Sequence, residues 1–370
     1  MVNPLFWSDR RVVVTGHTGF KGTWLATWLA EMGAHVTGIG RNPATEPSLF
    51  ACSDLTDRID SRIADVRSRE YLARLLNQAQ PEIIFHLAAQ PLVMQSLRDP
   101  VATFQSNILG VVNLLDAARH LPSLRSIVVV TSDKCYLRPD RRCTEGDPLG
   151  GHDPYSASKA CAEIVTEAYR CCFFPPDGRV GLATARAGNV IGGGDFSPGR
   201  LLPDLIRAYT TGEPAYLRHP GGVRPWQHVL DALAGYLLLA ERLAANPASF
   251  STAWNFGPAQ DTSWTAAQVA NLAAERFGAG EWHAAASDLA IEVPTLLLSS
   301  GQAQRWLGWG PRLATEDAVA WSVDGYRSLL KHGNTHWLTA QIHAFEALAP
   351  ARAGERVTLP ARPELVHVYA

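Results

Sequence analysis

Three short segments carry residue types that acid–base and anion-binding chemistry require. Tyr155-Ser156-Ala157-Ser158-Lys159 spaces a tyrosine and a lysine four apart, which on a helix puts both side chains on one face. A nearby ammonium, joined by a second positive charge, would bring a phenol pKa of about 10 toward working pH. Such a phenol can take a proton from a hydroxyl. The pair alone is common by chance, and an ordinary surface pair is its default reading. Upstream, Thr131-Ser132-Asp133-Lys134-Cys135-Tyr136 follows an apolar run directly and adds a hydroxyl, a carboxylate and an amine. The third segment, Gly16-His17-Thr18-Gly19-Phe20-Lys21-Gly22, reads G-x-x-G-x-x-G. Gly16 permits a tight turn, Gly19 lets backbone approach a pyrophosphate, and Gly22 lets helix and strand pack closely. An anion would then sit on the N–H groups of the following helix N-terminus. Only Lys21, Lys134, Lys159 and Lys331 are lysines among 33 basic residues. Three of these four fall inside the segments just described.

The elements that must hold these segments alternate. Strands are expected at 11–15, 35–39, 82–87, 126–130 and 180–185, and helices at 22–32, 68–78, 100–119 and 154–172. Alternation of this kind means βαβ units, a parallel sheet and helices on both faces. The fold class is therefore α/β, a Rossmann-type doubly wound parallel sheet with a smaller, mainly C-terminal substrate-binding lobe. Residues 40–60 read as loop. The division expected is 1–190 for the dinucleotide-binding domain, with a return at about 224–258, and 191–223 plus 259–370 for the lobe. Trp282, Trp306, Trp309 and Trp321 read as lobe core rather than stacking platforms.

Composition sets the outer bounds. At 370 residues and 46% hydrophobic, the chain has enough apolar content for a large core and too much for disorder. A formal net charge of -2 gives no reason to expect nucleic acid or an acidic membrane surface as partner. The first residues, MVNPLFWSDRR, lack the pattern of a signal peptide, and no window of about 18 apolar residues is present. Six cysteines show no C-x-x-C and no metal-ligand spacing, so no metal site is expected. A cytoplasmic location follows, with the cysteines as reduced thiols.

The glycine turn, the hydroxyl at a strand end and the Tyr/Lys pair together resemble the short-chain dehydrogenase/reductase superfamily. Leu87-Ala88-Ala89-Gln90 after a strand and Asn107 in the next helix match it further. Within it, Asp133-Lys134 followed by Cys-Tyr is similar to the CDP-glucose 4,6-dehydratase group, where related enzymes usually carry Asp-Glu. Gly150-Gly151-His152-Asp153-Pro154-Tyr155, Gly188-Asn189-Val190-Ile191-Gly192-Gly193-Gly194-Asp195 and Arg224-Pro225-Trp226-Gln227-His228-Val229 extend the likeness. Two segments depart from it: Asp195-Phe196-Ser197-Pro198-Gly199-Arg200, where the group has Asp-Trp-x-x-Asp-Arg, and Ile291-Glu292, where it usually has His before Glu.

The resemblance implies a lyase that converts CDP-D-glucose to CDP-4-keto-6-deoxy-D-glucose through internal oxidation at C4, water loss across C5–C6 and hydride return to C6. It implies Ser132, Asp133, Lys134, Tyr155 and Lys159 as catalytic residues. Tyr155 would be the C4 base, Asp133 the acid at the 6-hydroxyl, and Lys134 the C5 base, for which its amine must be neutral. NAD would be held by Gly16, His17, Gly19, Phe20, Lys21, Gly22, Arg41, Asp65, Leu87, Ala88, Ala89, Asn107, Tyr155 and Lys159. Position 41 leaves NADP open, because an acidic ribose ligand is missing there. Asp65 also reads as a cap for the helix from Ser68. Gln90, Asn189, Arg200, Leu202, Arg218, Arg224 and Glu292 would bind substrate. Superfamily members often dimerise through the helices at about 100–119 and 154–172, which implies a homodimer. Alternatives are a nucleotide-sugar 4-epimerase, a dehydratase for another nucleotide, and a non-catalytic dinucleotide sensor on the same fold.

Overall fold

A computed structural model describes residues 1–137, 141–175, 177–259, 263–285 and 295–348. Seven strands pair in parallel: β1 (Arg11–Thr15), β2 (His35–Gly40), β3 (Asp60–Ile63), β4 (Ile83–His86), β5 (Ser126–Val130), β6 (Gly181–Ala187) and β7 (Ala253–Phe256). Their order across the sheet is β7-β6-β5-β4-β1-β2-β3. The inner strands are near-continuous β-branched runs because both faces are covered.

Successive residues on a strand point to opposite faces, and the two cores divide accordingly. Val12, Val14, Phe85, Val128 and Val130 enter one apolar cluster with α1 (Phe20–Glu31). Val13, Ile84, Ile127 and Val129 enter the other, with α2 (Arg69–Ala79) and α3 (Gly110–Ala118). Helix α4 (Pro154–Cys172) starts where the sequence requires, with Pro154 in the first turn and the Asp153 side chain accepting the Ser156 N–H at 2.9 Å.

A third cluster joins Leu202, Leu205 and Ile206 of α5 (Leu201–Thr211) to α7 (Ala266–Phe277) and α8 (Thr315–His332). Between them in sequence, α6 (Val229–Ala245) is buried on almost every side. The last described helix, α9 (His336–Ala347), lies against α1, with Trp28 edge-on to Phe345 and its indole N–H on Glu346.

Several expected elements changed. The helix expected over 100–119 is broken into Pro100–Phe104, a π-helical turn at Gln105–Leu109, and α3. The expected loop over 40–60 contains short helices at Leu49–Cys52 and Leu55–Arg58 and runs into β3. Strand β3 escaped the sequence reading because it is an edge strand with mostly exposed residues, Asp-Ser-Arg-Ile, and no apolar run. Strand β1 separates β2 from β4, so the chain leaves β1 and β4 on either side of a switch in winding direction. In such sheets ligands bind at that crevice, and the glycine turn and Leu87–Gln90 both sit there.

Candidate active site

The glycine turn has the geometry its spacing predicts. Gly16 adopts φ +77°, and a Cβ there would come within 2.7 Å of the Ala88 backbone nitrogen. A Cβ on Gly22 would lie 2.0 Å from the Gly16 carbonyl oxygen. Gly19 is different: it is exposed, and a Cβ would meet only the Gly16 oxygen, at 3.4 Å. It caps α1 without a side-chain bond, which leaves the N–H groups of Phe20, Lys21 and Gly22 at an open helix start. This bare, glycine-lined cradle fits a pyrophosphate. His17 belongs to the scaffold instead. Its ring fills the space left by Gly38, its Nε2 meets Ser61 Oγ at 2.8 Å, and burial pushes its pKa down to about 4.

Around the rim, Arg41 is exposed at the end of β2, and its carbonyl accepts the Thr18 hydroxyl at 2.7 Å. Asp65 does not cap α2. Arg67, which the sequence reading passed over, forks onto its carboxylate at 2.6 Å and holds it below the usual range. Leu87 and Ala88 N–H groups bond to the Thr15 carbonyl and hydroxyl, respectively, fixing the crossing beside Gly16. Asn107 lies in the π-helical turn, donates to Ser158 Oγ at 2.8 Å and accepts the Gln90 N–H at 2.8 Å, tying that loop to α4. The Gln90 side chain is engaged by Leu92 and Thr103.

The expected catalytic residues converge from two elements, the turn after β5 and helix α4. Beyond β5, Ser132 caps a short 3-10 turn, Asp133–Cys135, and accepts the Lys134 N–H at 3.2 Å. Ser132 Oγ donates to Asp133 Oδ1 at 2.8 Å, and Ser132 acts on the Tyr155 phenol of α4 in the direction that favours its ionised form. The second oxygen, Asp133 Oδ2, is buried without a hydrogen-bond partner among the described residues. Burial raises the Asp133 carboxyl despite the opposing charges of Lys134, Arg224 and Lys21. Burial also pushes Tyr155 up to about 12, against the lowering that a neighbouring ammonium suggested. Lys159 itself faces the sheet: its Nζ donates to the Val130 carbonyl at 3.2 Å, and burial brings its pKa down to about 8. Lys134 is half-buried on the same turn as Asp133.

Two residues join this set unannounced. Lys21 leaves the phosphate turn inward, 5.9 Å from the centre of the Tyr236 ring and within electrostatic reach of Asp133, Lys159, Asp195 and Arg200. Burial and the Arg200 and Lys159 charges bring its pKa down to about 7. Tyr236, on α6, has a fully buried hydroxyl without a partner among the described residues, facing Tyr155 and Asp133. No motif flags a tyrosine within an apolar helix, and only the packing finds it.

Of the expected substrate residues, Arg200 pairs with Asp195 at 2.7 Å and lies within electrostatic reach of Tyr155. Arg224 is buried within electrostatic reach of Asp133. Asn189 accepts the Gln227 N–H through its carbonyl, and Arg218 donates to the Gly199 carbonyl. Leu202 is buried in the third apolar cluster, where it serves packing. Glu292 lies outside the described residues.

Residues 12–257 match the model of the NAD dependent epimerase/dehydratase family. The chain is 41% identical over 341 residues to a CDP-glucose 4,6-dehydratase of Salmonella typhimurium, covering 90% of this chain and 94% of that protein. Among solved structures, MoeE5 in complex with UDP-glucose and NAD superposes with a TM-score of 0.74 at 25% identity, over 87% of this chain and 100% of that one. The fold also matches a double mutant of the dTDP-glucose 4,6-dehydratase DesIV from Streptomyces venezuelae with NAD bound, at TM-score 0.74 and 24% identity, covering 85% and 96%.

Proposed function

The chain belongs to the NAD dependent epimerase/dehydratase family, and within it we propose that this enzyme converts CDP-D-glucose to CDP-4-keto-6-deoxy-D-glucose. The observation that carries this reading is the Ser132-Asp133-Lys134 turn set against Tyr155, in a chain 41% identical to a CDP-glucose 4,6-dehydratase. NAD is the cofactor, and when bound it supplies the oxidising equivalent at C4 that is returned at C6. The Gly16–Gly22 turn and the start of α1 would hold its pyrophosphate, Arg41 and Asp65 its adenosine end, and Leu87–Ala89 with Lys159 the reacting end.

Tyr155, whose ionised form Ser132 favours, takes the proton of the 4-hydroxyl. The 4-ketone acidifies C5, and Lys134 takes that proton. Asp133 gives a proton to the departing 6-hydroxyl, a role that suits a carboxyl whose pKa burial has raised. Asn189, Arg200, Arg218 and Arg224 serve the nucleotide diphosphate, with arginine suited to paired phosphate oxygens. A 4-epimerase needs no acid and base beyond Tyr155, so it leaves Asp133 and Lys134 without a task.

Incubation with NAD and CDP-, dTDP-, GDP- or UDP-glucose separates these readings. The expected outcome is 4-ketosugar absorbance in alkali with CDP-glucose; a 4-epimer without ketosugar would overturn the assignment. The domain division proposed is 1–190 with the return at about 224–258, and the rest as a substrate lobe. A homodimer is also proposed: Val101, Leu109 and Ile164 are large exposed apolar residues on the segments expected to pair. A monomeric mass in solution at micromolar protein would exclude it. A cytoplasmic setting suits six free thiols.

A further inference from the structure

Asp133 and Lys134 are neighbours on one 3-10 turn, and the reaction needs them at adjoining positions of the sugar. At three residues per turn, their side chains leave the axis about 120° apart. A roll of the turn would bring one forward and carry the other back. Its own bonds hold it weakly: the Lys134 N–H reaches Ser132 Oγ at 3.2 Å, and the Cys135 N–H the Ser132 carbonyl at 3.3 Å. Something outside the turn must fix its roll.

The residue that closes the turn is Tyr136, which is buried. Its hydroxyl accepts Arg186 Nη1 of β6 at 2.9 Å and donates to Asn255 Oδ1 of β7 at 2.7 Å. The Arg186 guanidinium also stands 5.1 Å from the centre of the Tyr136 ring. Both partners are themselves held. Arg186 Nη2 donates to Glu163 at 2.8 Å, its Nη1 also reaches the Glu145 carbonyl at 3.1 Å, and Asn255 Nδ2 donates to the Cys143 carbonyl at 3.3 Å. The backbone adds two ties: the Gly150 N–H donates to the Cys135 carbonyl at 2.8 Å, and the Leu137 N–H to the Pro148 carbonyl at 2.9 Å. Tyr155 and Lys159 have separate supports. The Tyr155 N–H donates to Ser96 Oγ at 3.1 Å, and Lys159 Nζ to the Val130 carbonyl at 3.2 Å.

We propose that Tyr136 is a positioning residue for the water-loss half of the reaction: its hydroxyl, held between Arg186 and Asn255, sets the roll of the turn and so aims Asp133 at O6 and Lys134 at C5. This rests on the acid and base roles given above. With its donor and an acceptor site both engaged by protein, the hydroxyl acts on the sugar only through the turn. Oxidation at C4 uses Tyr155, whose supports do not pass through Tyr136, so it is independent of this anchor.

Two sugars separate the halves on the NAD-loaded enzyme. CDP-6-deoxyglucose can be oxidised at C4 but has no C6 leaving group, so stopped-flow absorbance of reduced nicotinamide reports oxidation alone. Quenched single turnovers of CDP-glucose, resolved by mass, report the loss of water. Tyr136→Phe keeps the ring against Arg186 and removes only the hydroxyl. It should oxidise the first sugar at the wild-type rate and lose water from the second about 10- to 100-fold more slowly, as expected for displaced reacting groups. Asn255→Ala, which removes one of the two partners, should show the same split to a smaller degree. Equal slowing with both sugars, slowing of oxidation alone, or no slowing in Tyr136→Phe would overturn the positioning role. Should Tyr136→Phe fail to fold, Asn255→Ala decides on the same three outcomes. Wild type that turns over neither sugar would overturn the reaction assignment, and the role of Tyr136 with it.

Discussion

Two buried carboxylates flank the end of β5, and they are built for opposite purposes. Glu163 lies behind it on α4. One of its oxygens accepts the Thr131 hydroxyl; the other accepts Thr184 Oγ1 at 2.7 Å and Arg186 Nη2 at 2.8 Å. Arg186 continues to the Tyr136 hydroxyl, which donates to Asn255 on β7 at 2.7 Å. Asp133 lies in front, with one oxygen on Ser132 and the other unpartnered. The two are equally dry, at 4% and 2% exposure, yet Glu163 is held below its usual pKa and Asp133 is raised above it. Burial penalises both charges; the difference is the number of donors that offset it. A satisfied carboxylate fixes Thr131, and so the start of the Ser132–Asp133 turn. An unsatisfied one keeps an oxygen available for chemistry.

The sharpest way to break this contrast is to neutralise each side. Asp133→Asn should lower kcat about 10²- to 10⁴-fold, the usual range for a lost general acid. Its urea midpoint should be unchanged or slightly higher, because the variant removes a charge that burial disfavours. A midpoint that falls sharply would show that Asp133 is structural. Glu163→Ala should do the reverse, costing roughly 3–5 kcal/mol in urea unfolding because Arg186 is left buried without its anion. Glu163→Gln, which keeps bonds to the threonines, should cost less. The pH dependence has a definite sign. A carboxylate held low contributes stability that is fully present above its unfolded pKa of about 4.3 and is lost as pH falls through the folded value. Wild type should therefore lose stability below about pH 4 more steeply than Glu163→Gln. Equal acid limbs would remove Glu163 from the account.

Much of the front of the site was legible in sequence, and little of the back. Ser132, Asp133, Tyr155 and Lys159 sit in contiguous motifs at a strand end and on one helix face, where spacing translates directly into proximity. Glu163 and Arg186 have no such signature: one is an ordinary acid within α4, the other a lone arginine within a run of small residues on β6. Only the register that places Ala185 beside Val130, one residue before Thr131, brings them together. Lys21 shows the same limit within a motif that was read. Its turn was recognised from glycines, but the direction of its side chain, toward Asp133 and Tyr236, depends on α6 crossing behind it. Strand β3 was missed for the converse reason, since an exposed edge needs no apolar pattern.

Asp231 offers a third point on the same scale, with the smallest effect. It is fully buried on α6 and accepts the backbone N–H groups of Arg312 at 2.6 Å and Leu313 at 3.4 Å. Two amide donors without a close ion pair only partly offset burial, and the carboxyl is raised to about 7. It therefore falls between Glu163 and Asp133 in satisfaction, and the linkage runs opposite to that of Glu163. Between the unfolded value of about 3.9 and the folded one, the native state holds a proton that the unfolded state has lost. Stability from this group is thus complete below the unfolded pKa and declines as pH rises toward 7, where the native carboxyl also ionises. Asp231→Asn keeps an acceptor for Arg312 and cannot ionise. Its stability near pH 5 should lie within about 1 kcal/mol of wild type, reflecting one altered hydrogen bond. The wild-type advantage should shrink or reverse between pH 5 and 8 in paired urea titrations. A constant difference across that range would mean Asp231 carries the same charge in both states, and that partner count alone does not set the ionisation of these buried acids.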